Sequence, residues 1–308
     1  MKRFAVLLTG LFSMGLLILS NCGTVPITGR RQLNLVSDGE ILAASATQYR
    51  QFISQSHISN NGTYNAKVTQ VGRRLAAATN IFLKQNGYES MLSSLSWEFN
   101  VVDSKQVNAF CMPGGKIVVY TGLLNLVGNG AHSDDELAAV MGHELSHALA
   151  KHANERISNQ MLVQAGGQLL GAAVGNRSQM LGSLINQAYG IGAQVGVMLP
   201  FGRKQEYEAD KMGLVLMAMA GYDPRYAVSF WQKMAQSKGG NQTNELLSTH
   251  PSDANRIKAI EEYLPTALQY YQGGSSREST GRTTSTTKKR GSSREVSAND
   301  IGSYLNGR

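Results

Sequence analysis

His143, Glu144 and His147 lie in the stretch His143-Glu144-Leu145-Ser146-His147, the pattern H-E-x-x-H. Two histidines four residues apart stand one turn apart on one helix face, so both imidazoles can reach the same metal ion. Glu144 follows the first of them and can be aimed as general base at a water on that ion. The chemistry implied is metal-assisted hydrolysis, with one Zn2+ per chain as the cofactor that suits this donor set.

A catalytic zinc takes three protein ligands and keeps a position open. His152 is the nearest further histidine, but on a continuous helix a residue five beyond His147 is turned well away from the His143/His147 face. The longer pattern H-E-x-x-H-x-x-G-x-x-H also fails, because position 150 is Ala150 and position 153 is Ala153. His152 therefore reads as a surface or structural residue, and the third ligand is expected from a second helix. Gln205-Glu206-Tyr207-Glu208-Ala209-Asp210-Lys211 supplies one. Glu206 and Asp210 share a face there, the spacing of a ligand and of a carboxylate that accepts the spare N–H of a ligating histidine. Glu208 points elsewhere and reads as solvated.

The elements that must position these residues are visible as periodicity. Leu137, Val140, Met141, Leu145 and Ala148 recur at helical spacing, and Ser133 with Glu136 reads as a capping box opening that helix. Further amphipathic helices are expected over Ile41–Ile53, Ala66–Leu83, Pro224–Gln236 and Ala254–Tyr271. Trp97–Val102 and Lys116–Tyr120 alternate like strands. Gln160–Gly202 is rich in small and apolar residues with almost no charge. It reads as two helices, roughly Gln160–Val174 and Leu181–Val197, that pack on the metal helix, form a lid or touch a membrane.

Four blocks resemble the zinc metallopeptidase family that holds the CAAX prenyl proteases and the heat-shock protease HtpX, in its exported bacterial lipoprotein form. They are Val107–Ile117 with Thr121–Leu124, Glu136–Val140 running into the H-E-x-x-H stretch, Arg203 with Glu206–Asp210, and Thr249–Asp253 with Arg256 and Ile257. The resemblance implies a mainly helical α+β fold, a zincin-like domain with a small antiparallel-edged sheet beside the H-E-x-x-H helix. It implies His143, His147 and Glu206 as zinc ligands, Glu144 as general base and Asp210 behind a ligand. His250, catalytic by the same resemblance, would stabilise an oxyanion or take the open zinc position in a resting state. Arg256 would tie the His250 loop down. An edge strand beside the metal helix would pair with extended substrate, which makes Asn108, Ala109 and Phe110 the expected substrate-binding residues.

The N-terminus indicates the compartment. Met1-Lys2-Arg3 is basic, Phe4–Leu19 is apolar, and Leu19-Ser20-Asn21-Cys22 resembles the signal for lipid attachment at Cys22. Residues 1–21 are expected as signal peptide, 22–37 as tether, 38–272 as the metallopeptidase domain and 273–308 as a disordered basic Ser/Thr/Gly-rich tail. Only Cys22 and Cys111 are present, so no disulfide framework exists, and Cys111 reads as a buried small residue. The chain carries a net charge of +8, of which Lys2 and Arg3 account for two and the tail from Gly273 for four. The remaining +2 means that the net charge says little about the catalytic domain, and no nucleic-acid partner is expected for an exported protein. The expected function is zinc-dependent hydrolysis of unfolded or misassembled envelope proteins by an enzyme lipid-anchored in the outer membrane and facing the periplasm. An envelope chaperone with latent hydrolysis, or a protease for one specific substrate, are the alternatives.

Overall fold

The computed structural model describes residues 22–25, 28–167, 181, 183–184, 202–236, 245–250 and 254–271. The first described element is a short antiparallel hairpin, β1 (Cys22–Thr24) against β2 (Arg31–Leu33), with Gly29 at φ 68° in its turn. This segment reads as an irregular tether from sequence. The backbone bonds Val25 N–Arg30 O and Gly29 N–Val25 O close the hairpin instead.

Helix α1 (Asp38–Gln55) begins at a reciprocal capping box between Ser37 and Glu40, and α2 (Gly62–Gln85) begins at Asn61, whose side chain accepts from the amides of Thr63 and Tyr64. A 3-10 turn (Glu89–Ser94) leads into a three-stranded sheet of β3 (Glu98–Val102), β4 (Ala109–Met112) and β5 (Lys116–Tyr120). The order is β3-β5-β4, with β3 parallel and β4 antiparallel to β5. Alternation along the strands divides the core in two. Val101, Ala109, Cys111, Ile117 and Val119 face the main cluster, while Val102, Phe110, Met112, Val118 and Tyr120 face a second one with Ile41 and Tyr49 of α1.

After α3 (Thr121–Val127), helix α4 (Ser133–Leu149) carries the H-E-x-x-H residues through the main core. Its start departs from the expected capping box. Ser133 is the first helical residue and makes no cap; its hydroxyl takes Lys67 Nζ at 2.7 Å, and Glu136 pairs with Lys233 at 2.5 Å. Three acidic residues in the first turn still suit the helix dipole. Then follow α5 (His152–Gly167), α6 (Arg203–Met219), α7 (Tyr226–Gln236), α8 (Glu245–Thr249), α9 (Ala254–Ala267) and a closing 3-10 turn.

The helices expected outside Gln160–Gly202 and both expected strands are therefore present, and the fold is a mainly helical α+β zincin-like arrangement. Most of the expected helix pair in Gln160–Gly202, the signal region 1–21 and the tail from Gly273 lie outside the described residues. Among the described residues no helix is long and apolar enough to cross a membrane.

Helices α4 and α6 meet at a pair of glycines. A Cβ on Gly213 would sit 2.9 Å from the backbone nitrogen of His143, and one on Gly142 would sit 3.1 Å from the carbonyl of Gly213. Only glycine allows the two backbones to come this close. The approach sets Glu206 and Asp210, on the turns of α6 preceding Gly213, beside His143 and His147.

Candidate metal centre

His143, His147, Glu206 and His250 each offer one donor atom to a common point, and all four donors lie within 4.8 Å of one another. His143 Nε2 is 3.0 Å from His147 Nε2 and 3.2 Å from His250 Nδ1. Glu206 Oε1 is 3.4 Å from His147 Nε2 and 3.0 Å from His250 Nδ1, and its Oε2 is 3.5 Å from His143 Nε2. Donors at zinc-ligand distance around a tetrahedral ion stand about 3.4 Å apart, so the set fits zinc. The four residues are all buried, at 1–3% exposure.

Glu144 completes the fit. Its Oε1 is buried, makes no hydrogen bond and lies 3.4 Å from His250 Nε2. A buried carboxylate oxygen without a partner is costly unless something else comes to it. Burial pushes this carboxyl up to about 7, against the opposing pull of His250.

The other buried groups balance one another. Burial would raise Glu206 and Asp210. Instead His250, with the hydrogen bonds of His143 and His147, holds Glu206 well below the usual carboxylate range. Arg256 holds Asp210 below its ordinary value. Burial drives the His147 imidazole well below its ordinary range, so it is neutral and free to donate a lone pair.

His143 Nδ1 lies 2.9 Å from Asp210 Oδ1, which leaves Nε2 turned to the cluster. Arg256 forks onto Asp210 at 2.7 and 2.8 Å, reaches Glu206 Oε2 at 2.8 Å and donates to the His250 carbonyl at 3.3 Å. Its guanidinium lies 3.9 Å over the Trp231 ring, which in turn meets His143 edge-on.

The structure thus brings His143, Glu144, His147, Glu206, Asp210 and His250 together. Ala109 and Phe110 open β4 and Asn108 immediately precedes it; among the described residues β4 has β5 on one side and no strand on the other. All three residues are buried, and the Phe110 ring packs on Phe52 and Tyr120, away from the metal helix. Cys22 pairs with Leu33 in the hairpin. Cys111 is buried, as expected.

Two residues stand elsewhere than their spacing predicts. His152 is wholly buried, with Nδ1 2.8 Å from His147 Nδ1, and Glu208 is 7% exposed and bonded to it. Lys151 is the reason. Its φ of 55° places it in the left-handed region, so α4 stops and α5 restarts at His152 in a new direction. A continuous helix would have turned His152 about 140° from His147. A lysine in this conformation carries no sequence signal.

Residues 63–264 match peptidase family M48. The chain is 34% identical over 244 residues to the mitochondrial metalloendopeptidase OMA1 of Schizosaccharomyces pombe, covering 79% of this chain and 66% of that one. It is 26% identical over 255 residues to the metalloprotease LoiP of Escherichia coli, covering 81% and 96%. It is 31% identical over 168 residues to the beta-barrel assembly-enhancing protease of Yersinia pestis, covering 52% and 33%. The chain spans 66%, 36% and 51% of the OMA1 proteins of S. pombe, Arabidopsis thaliana and Saccharomyces cerevisiae.

Proposed function

The chain belongs to peptidase family M48, and on that premise we propose that it is a zinc-dependent endopeptidase. His143, His147 and Glu206 hold the metal, and Glu144 is the general base. The observation that carries this reading is the convergence of four buried donor atoms beside a Glu144 oxygen that makes no hydrogen bond. Bound there, zinc would supply Lewis acidity, acidifying a water and polarising a scissile carbonyl.

Glu144 takes the proton of the attacking water and later passes it to the leaving amine nitrogen. Its buried setting, which raises its affinity for a proton, suits both transfers. Asp210 keeps His143 turned towards the ion. The edge of β4 that has no strand beside it among the described residues, with Ala109, Phe110 and the preceding Asn108, takes an extended substrate by backbone pairing, which gives affinity with little side-chain selectivity.

His250 stands among the ligands, 3.0 Å from Glu206 and 3.4 Å from Glu144. From this position His250 would serve as a fourth donor to a bound metal in a resting state, and would have to withdraw before substrate enters. After it moves, the same imidazole can hydrogen-bond the oxyanion.

The substrates are unfolded or misassembled envelope proteins, and the enzyme is lipid-anchored at Cys22 in the outer membrane. Support comes from the basic start, the apolar run and the Leu19–Cys22 pattern, and from the printed name of the Y. pestis relative. The mitochondrial relatives point to a second compartment. Mass spectrometry of the mature N-terminus separates the two, since only envelope anchoring requires a lipidated Cys22.

A time course of cleavage of an unfolded protein by wild type, Glu144→Gln and His250→Ala tests the chemistry. Cleavage by wild type that Glu144→Gln loses supports it, and faster cleavage by His250→Ala supports the resting state. Client binding without turnover by any of the three would replace the enzyme with a holding protein.

A further inference from the structure

We propose that His152 is a positioning residue for the candidate ligand His147: anchored by Glu208, it accepts the His147 Nδ1–H and so presents the Nε2 lone pair to the metal. This rests on the metal-site reading above and extends it to residues outside the ligand set.

The geometry fixes the order of protons. His147 Nε2 faces the donor cluster, 3.0 Å from His143 Nε2. Its other nitrogen, Nδ1, meets His152 Nδ1 at 2.8 Å. His152 Nε2 meets Glu208 Oε2 at 2.9 Å. A carboxylate can only accept, so His152 donates from Nε2 to Glu208. Its Nδ1 is then left as an acceptor, and His147 must donate to it. With its proton on Nδ1, His147 has an unprotonated Nε2 of the kind a metal requires. The rings meet at 71° with centroids 4.8 Å apart, which allows the bond between ring edges.

Glu208 is itself held. It accepts from Arg30 Nε at 2.9 Å and from the Thr28 hydroxyl. Arg30 also forks onto Glu155 at 2.7 and 2.8 Å, and Gln205, the neighbour of Glu206, donates to Glu155 at 2.6 Å. Thr28 and Arg30 belong to the N-terminal hairpin segment. The segment immediately after Cys22 therefore grips the rear of one ligand, while Asp210 and Arg256 grip the rear of the other. The two ligating imidazoles have separate supports: His152 of α5 and Glu208 of α6, braced by the N-terminal segment, behind His147, and Asp210 of α6 with Arg256 of α9 behind His143.

The test is the zinc dissociation constant of the full chain, by competition with a chromophoric chelator. It is measured for wild type, His152→Phe and His152→Gln, together with the visible spectrum after loading with cobalt(II). His152→Phe fills the space and removes the acceptor. It should weaken zinc about 10–100-fold, as loss of a supporting partner does, and shift the cobalt bands. A glutamine can accept from His147 and donate to Glu208, so His152→Gln should stay much nearer wild type. Equal affinity and identical cobalt spectra for wild type and His152→Phe would overturn the proposal, as would a His152→Gln variant no better than His152→Phe. Should His152→Phe fail to fold, Arg30→Met, which releases Glu208 and Glu155 but leaves His152 in place, should still weaken zinc several-fold; unchanged affinity there would overturn it too. A wild type that takes up no zinc would instead overturn the metal-site reading.

Discussion

Asp210 Oδ1 lies 2.9 Å from His143 Nδ1 while the same carboxylate takes two nitrogens of Arg256, at 2.7 and 2.8 Å. One side chain thus orients a candidate ligand and neutralises the buried guanidinium beside it. Asp210→Ala should cost on both counts. Zinc affinity should fall about 10–100-fold. Stability should fall by about 3–5 kcal/mol, because Arg256, 2% exposed, loses its main counter-charge. Chelator competition and chemical denaturation read the two effects separately.

The crossing of α4 and α6 depends on glycine. Gly213→Ala should destabilise by about 1–3 kcal/mol, since its methyl would press on the backbone of Gly142 and His143. It should also weaken zinc by moving Glu206 away from His147. Gly39→Ala, with open space around its Cβ and a place in α1, should instead stabilise by up to about 1 kcal/mol. Denaturant midpoints of the two variants check this contrast.

Lys151 sets the turn that returns His152 to the site. Lys151→Gly should be about as stable as wild type or up to about 1 kcal/mol more stable, because glycine carries no penalty at φ 55°. Lys151→Pro should cost about 3 kcal/mol or more: its ring forbids positive φ and removes the Lys151 N–Ala148 O bond of 3.1 Å. Thermal melts distinguish the two.

The metal-binding half of the site was legible because its signals are local. His143 with His147, and Glu206 with Asp210, are each spaced by one helical turn, and a helix fixes which side chains share a face. The helices followed from apolar periodicity for the same reason. What escaped depends on contacts distant in sequence. Ser133 meets Lys67 rather than capping its own helix. The hairpin at Cys22–Leu33 closes on Glu208, 178 residues beyond Arg30. Periodicity turns His152 away from His147 because it assumes a helix that continues, and Lys151 ends it.

Glu155 gives a pH signature for the N-terminal grip. Burial would raise its carboxyl, but Arg30 and Gln205 hold it below its ordinary value of 4.5. A carboxyl that binds its proton less readily when folded stabilises fully above the unfolded pKa. That contribution is lost as pH falls through the folded value. Wild type should therefore be more stable than Glu155→Gln at pH 7, and the gap should close as pH drops below about 4.5. Melting temperatures of both proteins between pH 7 and 3 measure the gap.

The central claim is that the cluster of His143, His147 and Glu206 holds the metal on which hydrolysis depends. The most direct test is to remove metal with a chelator, dialyse, and follow cleavage of an unfolded protein as zinc is returned. The account predicts that the metal-free chain does not cut and that activity recovers and saturates at one zinc per chain. Undiminished cleavage by the metal-free chain would contradict it.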